Sequence, residues 1–327
     1  MFTDASGLEL DQKLIFEIPV TNTSEDYSGS LETDPDNLLY LAIGDLNRDG
    51  HEENGIENRE LQNTLDDTSE TGGVILRIAS NGTITSNNPF SQNGFKEFFA
   101  YGIKHVGDFS FDPVSKNLWY IVKGPNSVDE INMIKSGFNN GWKKIHGYDN
   151  DSCCPLDVKL PQDTKGLSIP PNSHYDEPKF AISNSSNLTA VGFMHASNSN
   201  LNRDDKLYVG DMQGNLFQFG LDKDRENIFS SGDIQNNLFA KDFGPIVDLE
   251  FDDKGVLYVL TYSNTTSSPY REQSGSVYAL PLKEGLDRLT ASEIIVVDSF
   301  GILWILILII LMSVAIRYKW IKQVIKK

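Results

Sequence analysis

One pattern recurs along this chain and limits its fold more than any other feature: an acidic or Asn-rich turn, then Leu with an aromatic, then a β run. It reads DPDNLLYLAIGD from Asp34 to Asp45 and DPVSKNLWYIVKGP from Asp112 to Pro125. It returns as RDDKLYVGDMQGNLFQFGL from Arg203 to Leu221 and as DDKGVLYVLTYSN from Asp252 to Asn264. In each copy one hydrophobic strand leaves a tight turn in register for a sheet face. Before residue 299 there is hardly a helical period. Four copies predict radial repetition, in blades of about 40–50 residues that bury their faces against one another. The expected fold class is an all-β propeller, with an immunoglobulin-like sandwich array as the alternative.

Charge narrows the partners. The net charge is −18, although the last eleven residues hold Arg317, Lys319, Lys322, Lys326 and Lys327 and no acid. A body this acidic repels phosphate backbones, so nucleic acid is an unfavoured partner and cations are natural ones.

Phe300 to Ile316 is a run of seventeen uncharged residues, FGILWILILIILMSVAI, followed at once by Arg317, Tyr318 and Trp320. With its flanks it is long enough for a hydrocarbon core of about 30 Å. The sequence therefore predicts a transmembrane helix over 300–320 and a basic cytoplasmic tail over 321–327, with a linker over 291–299. The propeller, residues 1–290, then lies outside the cell by the positive-inside rule. The sequons at Asn22, Asn81, Asn184, Asn187 and Asn264 agree with export. The opening MFTDASGLEL carries no basic or apolar leader. Cys153 and Cys154 are adjacent, which outside the cell allows a strained vicinal disulfide or two separate thiols.

One acid-rich stretch suggests calcium. In DLNRDGHEENGIENRE, Asp45, Asn47, Asp49 and Gly50 follow the start of an EF-hand loop, but the twelfth position is Ile56 and Glu57 comes one residue late. Either a looser calcium loop or an acidic surface loop fits that spacing. The five histidines show no metal spacing, and no hydrolase triad, P-loop or dinucleotide fingerprint appears in a suitable context.

Taken in order, LYLAIGD (39–45), GGVILRI (72–78), AYGIKHVGDFSFDP (100–113), GPNSVDEINMIKSGFNNGW (124–142), KLYVGDMQGNLFQFGL (206–221) and FGPIVDLEFDDKGVLYVL (243–260) resemble the soluble quinoprotein aldose dehydrogenases. These form the glucose/sorbosone dehydrogenase family of six-bladed propellers that use pyrroloquinoline quinone (PQQ) and calcium. The resemblance covers about residues 30–280 and implies that the chain opens near the last strand of the family's second blade, LIFEIPV (14–20). About four blades are then expected, in a fragment or in one half of a split protein whose partner chain completes the ring.

What the resemblance implies for chemistry is mixed. The family's general-base His falls on Asp26, where a carboxylate takes its place. Its YGLRNP pattern reads YGIKHV, putting Lys104 and His105 beside the cofactor. Its pair of PQQ-binding arginines, in G-R-I-R, reads GPIVD (244–248), so both are replaced. Gly124 and Pro125 match positions whose carbonyls hold the cofactor's calcium, and Glu130 with the Asn140 carbonyl matches a second calcium site; the alternative is that DEINMI forms a blade strand with its acids in solvent. The expected function is a membrane-anchored extracellular quinoprotein-type aldose dehydrogenase. The alternative is a catalytically silent calcium-binding propeller for carbohydrate or protein at the cell surface.

Overall fold

The computed structural model describes residues 2–3, 9–10, 13–17, 29–45, 72–92, 94–124, 128–142, 145–147, 167–182, 187–194, 206–229, 233–252, 254–264, 273–282 and 295–297. Asp26, Asn47, Asp49, Pro125, both cysteines and the apolar C-terminal run lie outside them. Among the described residues no helix is long and apolar enough to cross a membrane.

After a two-residue pairing of β1 (Phe2–Thr3) with β2 (Glu9–Leu10), the described residues build four larger sheets in succession, antiparallel except where β10 pairs in parallel with β6 and β11 in the first. The first runs β3 (Gly29–Thr33), β4 (Leu38–Ile43), β5 (Val74–Ala79) and β6 (Phe98–Tyr101). The second begins β7 (His105–Phe111), β8 (Leu118–Lys123) and β9 (Asp129–Ile134). Two short strands, β10 (Phe138–Asn139) and β11 (His174–Tyr175), then return to extend the first sheet beside β6, and β12 (Phe180–Ile182) closes the second beside β9. The third sheet is β13 (Leu188–Phe193), β14 (Lys206–Asp211), β15 (Leu216–Leu221) and β16 (Ile228–Phe229), with β17 (Leu238–Ala240) also on β15. The fourth is β18 (Ile246–Phe251), β19 (Val256–Asn264), β20 (Gln273–Pro281) and β21 (Ile295–Val297).

The recurring acidic turn joins the first strand of a blade to the second. Asp34 Oδ1 accepts the amides of Asp36 and Leu38, and Asp252 Oδ1 those of Lys254 and Val256. Asp211 caps Gln213 and Asn215 in the same way, one hairpin further along its blade. A short acid that satisfies two turn amides fixes the register of the strand that follows. Asn37 and Lys116 take positive φ in two of these turns, and Asn tolerates that conformation better than most residues.

Each first strand packs on its neighbours, β7 on β3 and β13, and β13 on β18. Three apolar layers fill the spaces between sheets. Tyr40, Ile75 and Phe99 meet Val106, Phe109 and Tyr120; Trp119, Ile121 and Met133 meet Val191, Val209 and Phe219; Tyr208, Leu216 and Phe239 meet Leu249, Val259 and Leu280. Fully burying one such side chain is worth about 1.5–3 kcal/mol, so these layers dominate the stability. The far side of the fourth sheet has no such cover among the described residues: Tyr258, Leu260 and Val277 are 37%, 38% and 42% exposed there.

Candidate functional site

The ends of the first two sheets opposite the Asp34 and Asp112 turns carry the residues that the sequence marks. His105 opens β7 and is paired in register with Lys123, the last residue of β8, which pairs with Asp129, the first of β9. Ile43 ends β4 opposite Gly29 and Val74. The chain leaving β4 reaches the second sheet through Asp45, whose amide donates to the Lys104 carbonyl at 2.6 Å.

Asp45 is buried, 1% exposed. Its Oδ2 accepts the Trp142 indole N–H at 2.9 Å and lies 4.0 Å from Lys104 Nζ. That ammonium stands 4.5 Å from the centre of the Trp142 ring, a cation–π contact that supplements the ion pair. The spacing of DLNRDG had suggested Asp45 as the first ligand of a calcium loop. Its observed commitment is to Trp142 and Lys104, because the indole N–H and the ammonium are the partners that compensate a buried carboxylate.

Glu130 lies in β9 and is also 1% exposed, so DEINMI is a blade strand whose acids are buried and not in solvent. Glu130 Oε1 accepts the Gly147 amide at 2.5 Å, while Oε2 accepts Asn132 Nδ2 at 2.9 Å and Asn140 Nδ2 at 3.1 Å. Asn140 Oδ1 takes the Tyr120 hydroxyl at 2.5 Å. Burial first, and the Glu130 charge second, push the Tyr120 phenol well above its usual range, so it stays a donor. Asp129 Oδ2 accepts the Leu188 amide of the third sheet at 2.8 Å. Calcium needs six to eight oxygens turned toward one point. Here the Glu130 carboxylate is occupied by three N–H donors, which does not fit that need, and among the described residues no group of three acids, histidines or cysteines could hold a metal.

Gly124 ends the β8 hairpin arm; its amide donates to the Val128 carbonyl at 2.7 Å. The same carbonyl accepts from His146 Nε2 at 3.1 Å. His146 Nδ1 lies 3.1 Å from Glu130 Oε1 but outside hydrogen-bond geometry, and the ring meets Trp142 edge-on at 6.1 Å. Gly124, Glu130, Asn140, Lys104 and Asp45 are thus one connected cluster, although they come from separate stretches of sequence. His146 is the residue that sequence reasoning passed over, since no spacing marks it. The GPIVD segment brings no cation: at the two replaced positions Pro245 is half-buried and Val247 is 40% exposed.

At mid-height of the first strands, Asp108 joins three sheets. Its Oδ2 accepts the Val191 amide of β13 at 2.9 Å, and its Oδ1 lies 3.4 Å from Ser30 Oγ of β3 and accepts the Phe109 amide at 2.8 Å. Burial, helped by the charges of Asp248 and Glu32, pushes its carboxyl up to about 7. Below it a cavity of about 350 Å³ opens at the turn end, walled by Glu32, Ser110, Phe193 and Glu250 among others.

Sheets in radial succession, with buried polar residues gathered at one end of the strands, define a propeller-like scaffold. The Glucose / Sorbosone dehydrogenase family profile matches residues 2–272, and the chain belongs to that family. It is 26% identical over 257 residues to the aldose sugar dehydrogenase YliI of Escherichia coli, covering 77% of this chain and 61% of that protein. It is 31% identical over 151 residues to quinoprotein glucose dehydrogenase B of Acinetobacter calcoaceticus, covering 44% of this chain and 31% of the other. The chain thus spans less than two thirds of the length of these relatives. Among solved structures, the apo form of the soluble E. coli aldose sugar dehydrogenase superposes with a TM-score of 0.61 at 23% identity, over 86% of this chain and 72% of that one. The PQQ-bound aldose sugar dehydrogenase of Streptomyces coelicolor gives 0.52 at 19% identity, over 76% and 60%. The expected all-β propeller architecture holds in these comparisons.

Proposed function

We propose that this chain is a membrane-anchored extracellular quinoprotein-type sugar dehydrogenase that oxidises the C1 hydroxyl of an aldose with PQQ and calcium. The observation that carries this reading is Lys104, which occupies the position of the family's arginine and is held by Trp142 and Asp45 with its ammonium at the edge of the site. A fixed cation there suits an anionic cofactor. When bound, PQQ supplies the hydride acceptor. This chain's residues fit PQQ at one carboxylate, through Lys104, with His105 beside it; the Pro245 and Val247 positions do not fit, because neither side chain can pair with an anion. In this reading Asp26 would accept the sugar hydroxyl proton and the Gly124 and Pro125 carbonyls would hold calcium. Asn47 and Asp49 are candidates for a separate calcium loop, and a second chain covers Tyr258, Leu260 and Val277.

The loss of both arginines favours a second reading, a calcium-binding propeller without redox activity that takes a surface carbohydrate or protein. The test is reduction of an artificial electron acceptor by the full chain, supplied with calcium and PQQ, on addition of an aldose. Sugar-dependent reduction supports the dehydrogenase. Calcium binding without reduction, at saturating PQQ and with several aldoses, leaves the second reading in its place.

A further inference from the structure

Gly124 and His146 compete for one space. A Cβ built on Gly124 would stand 1.6 Å from His146 Nε2 and 2.4 Å from the two adjoining ring carbons. The glycine is therefore demanded by the close approach of the ring. Nor can the ring swing away at no cost. The Val128 carbonyl can only accept, so Nε2 carries the hydrogen of their 3.1 Å contact. The side chain is fully buried, and Trp142 closes one edge. Val128 takes the Gly124 and His146 hydrogens together, so the ring, the end of β8 and the start of β9 meet at one oxygen.

We propose that His146 is the positioning residue of this site, a wedge that fixes Gly124, at the end of β8, against Val128, at the start of β9, and against the Trp142 that supports Lys104. It acts through Gly124, Val128 and Trp142. The steric lock stands by itself; its consequence for calcium rests on the proposed function.

A double-mutant cycle in the full chain tests it, using Gly124→Ala, His146→Ala and the pair. Amide hydrogen exchange over residues 124–130 is the first readout. Gly124→Ala alone raises exchange on the order of tenfold or more, because the methyl expels the ring and loosens the contact between Gly124 and Val128. In the His146→Ala background the same methyl enters vacated space, so the added change is under about twofold. His146→Gln, which keeps an amide N–H for Val128, holds exchange near the wild-type level. Equal effects of Gly124→Ala with and without His146 would overturn the proposal, as would unchanged exchange in His146→Ala. If His146→Ala does not fold, protection restored in the double variant supports the lock and an unfolded double variant contradicts it. Calcium titration is the second readout, with about a 10–100-fold loss expected in His146→Ala. A wild-type chain that binds no calcium removes the calcium part of the proposed function, while the exchange cycle still decides the lock.

Discussion

The Lys104 ammonium and the Trp142 indole are fixed on each other by a third group. The ammonium stands 4.5 Å from the ring centre, and Asp45 Oδ2 takes the indole N–H at 2.9 Å while lying 4.0 Å from the same ammonium. The arrangement orients a cation at the end of the second sheet without neutralising it in a short ion pair. It separates two contributions of Trp142, its ring face and its N–H.

Trp142→Phe keeps a face for Lys104 and removes the donor to a carboxylate that is 1% exposed. The expected cost is about 1–3 kcal/mol, the usual penalty for a buried acceptor that loses a partner. Asp45→Asn in the same background should recover part of it, since the amide carries no charge to be compensated. Urea denaturation of the single and double variants checks both statements.

Asp108 gives the fold a pH dependence of defined sign. Its carboxyl is raised to about 7 in the folded chain, whereas an unfolded Asp titrates near 3.9. The folded state then binds the proton more tightly, so this group stabilises the fold as pH falls from about 7 toward 4 and destabilises it above that window. Paired acids elsewhere act in the opposite direction, so the test is a difference. The stability of Asp108→Asn minus that of the wild type should be more favourable at pH 8 than at pH 5 by about 1–4 kcal/mol. A difference independent of pH would show that Asp108 titrates as an ordinary surface acid. Glu32→Gln, by removing one facing charge, should shift the transition to lower pH.

Asp112 and Arg225 tie the second sheet to the third through contacts of 2.5 and 2.7 Å, with both side chains buried. Removing one member of such a pair strands the other, at about 3–5 kcal/mol. Arg225→Met should therefore destabilise the chain by that amount in guanidinium denaturation, and Asp112→Asn/Arg225→Met by clearly less than the sum of the two single changes.

The sequons separate in the fold. Asn81 lies on an exposed turn where its side chain accepts from Thr83, while the Leu188 that follows Asn187 is fully buried and Thr189 Oγ1 is bonded to the Ile246 carbonyl at 2.5 Å. In a host that glycosylates exported chains, mass spectrometry should find glycan at Asn81 and none at Asn187. An exported chain bare at Asn81 would contradict the extracellular placement of an accessible turn.

The blades were legible in the sequence because their signal is local: Asp34 and Asp252 cap amides only two to four residues away. Lys104 and Glu130 were legible as positions in family motifs, but not what surrounds them. Asp45 looked like a loop ligand because its neighbours Asn47 and Asp49 follow a metal spacing, whereas its partner Trp142 is 97 residues away. His146 and Arg225 carry no pattern at all. Their roles depend on Gly124 and on Asp112, contacts that only the stacking of blades creates.

The account stands most directly on Lys104 as the anchor for an anionic quinone, and the deciding measurement is a calorimetric titration of PQQ into the calcium-loaded full chain and its Lys104→Ala variant. With both family arginines replaced, and each charge-assisted hydrogen bond worth about 1.5–3 kcal/mol, the wild type should bind more weakly than micromolar. The variant should then bind on the order of tenfold or more weakly still. Equal affinity in the two proteins, or no binding by the wild type, would contradict the account.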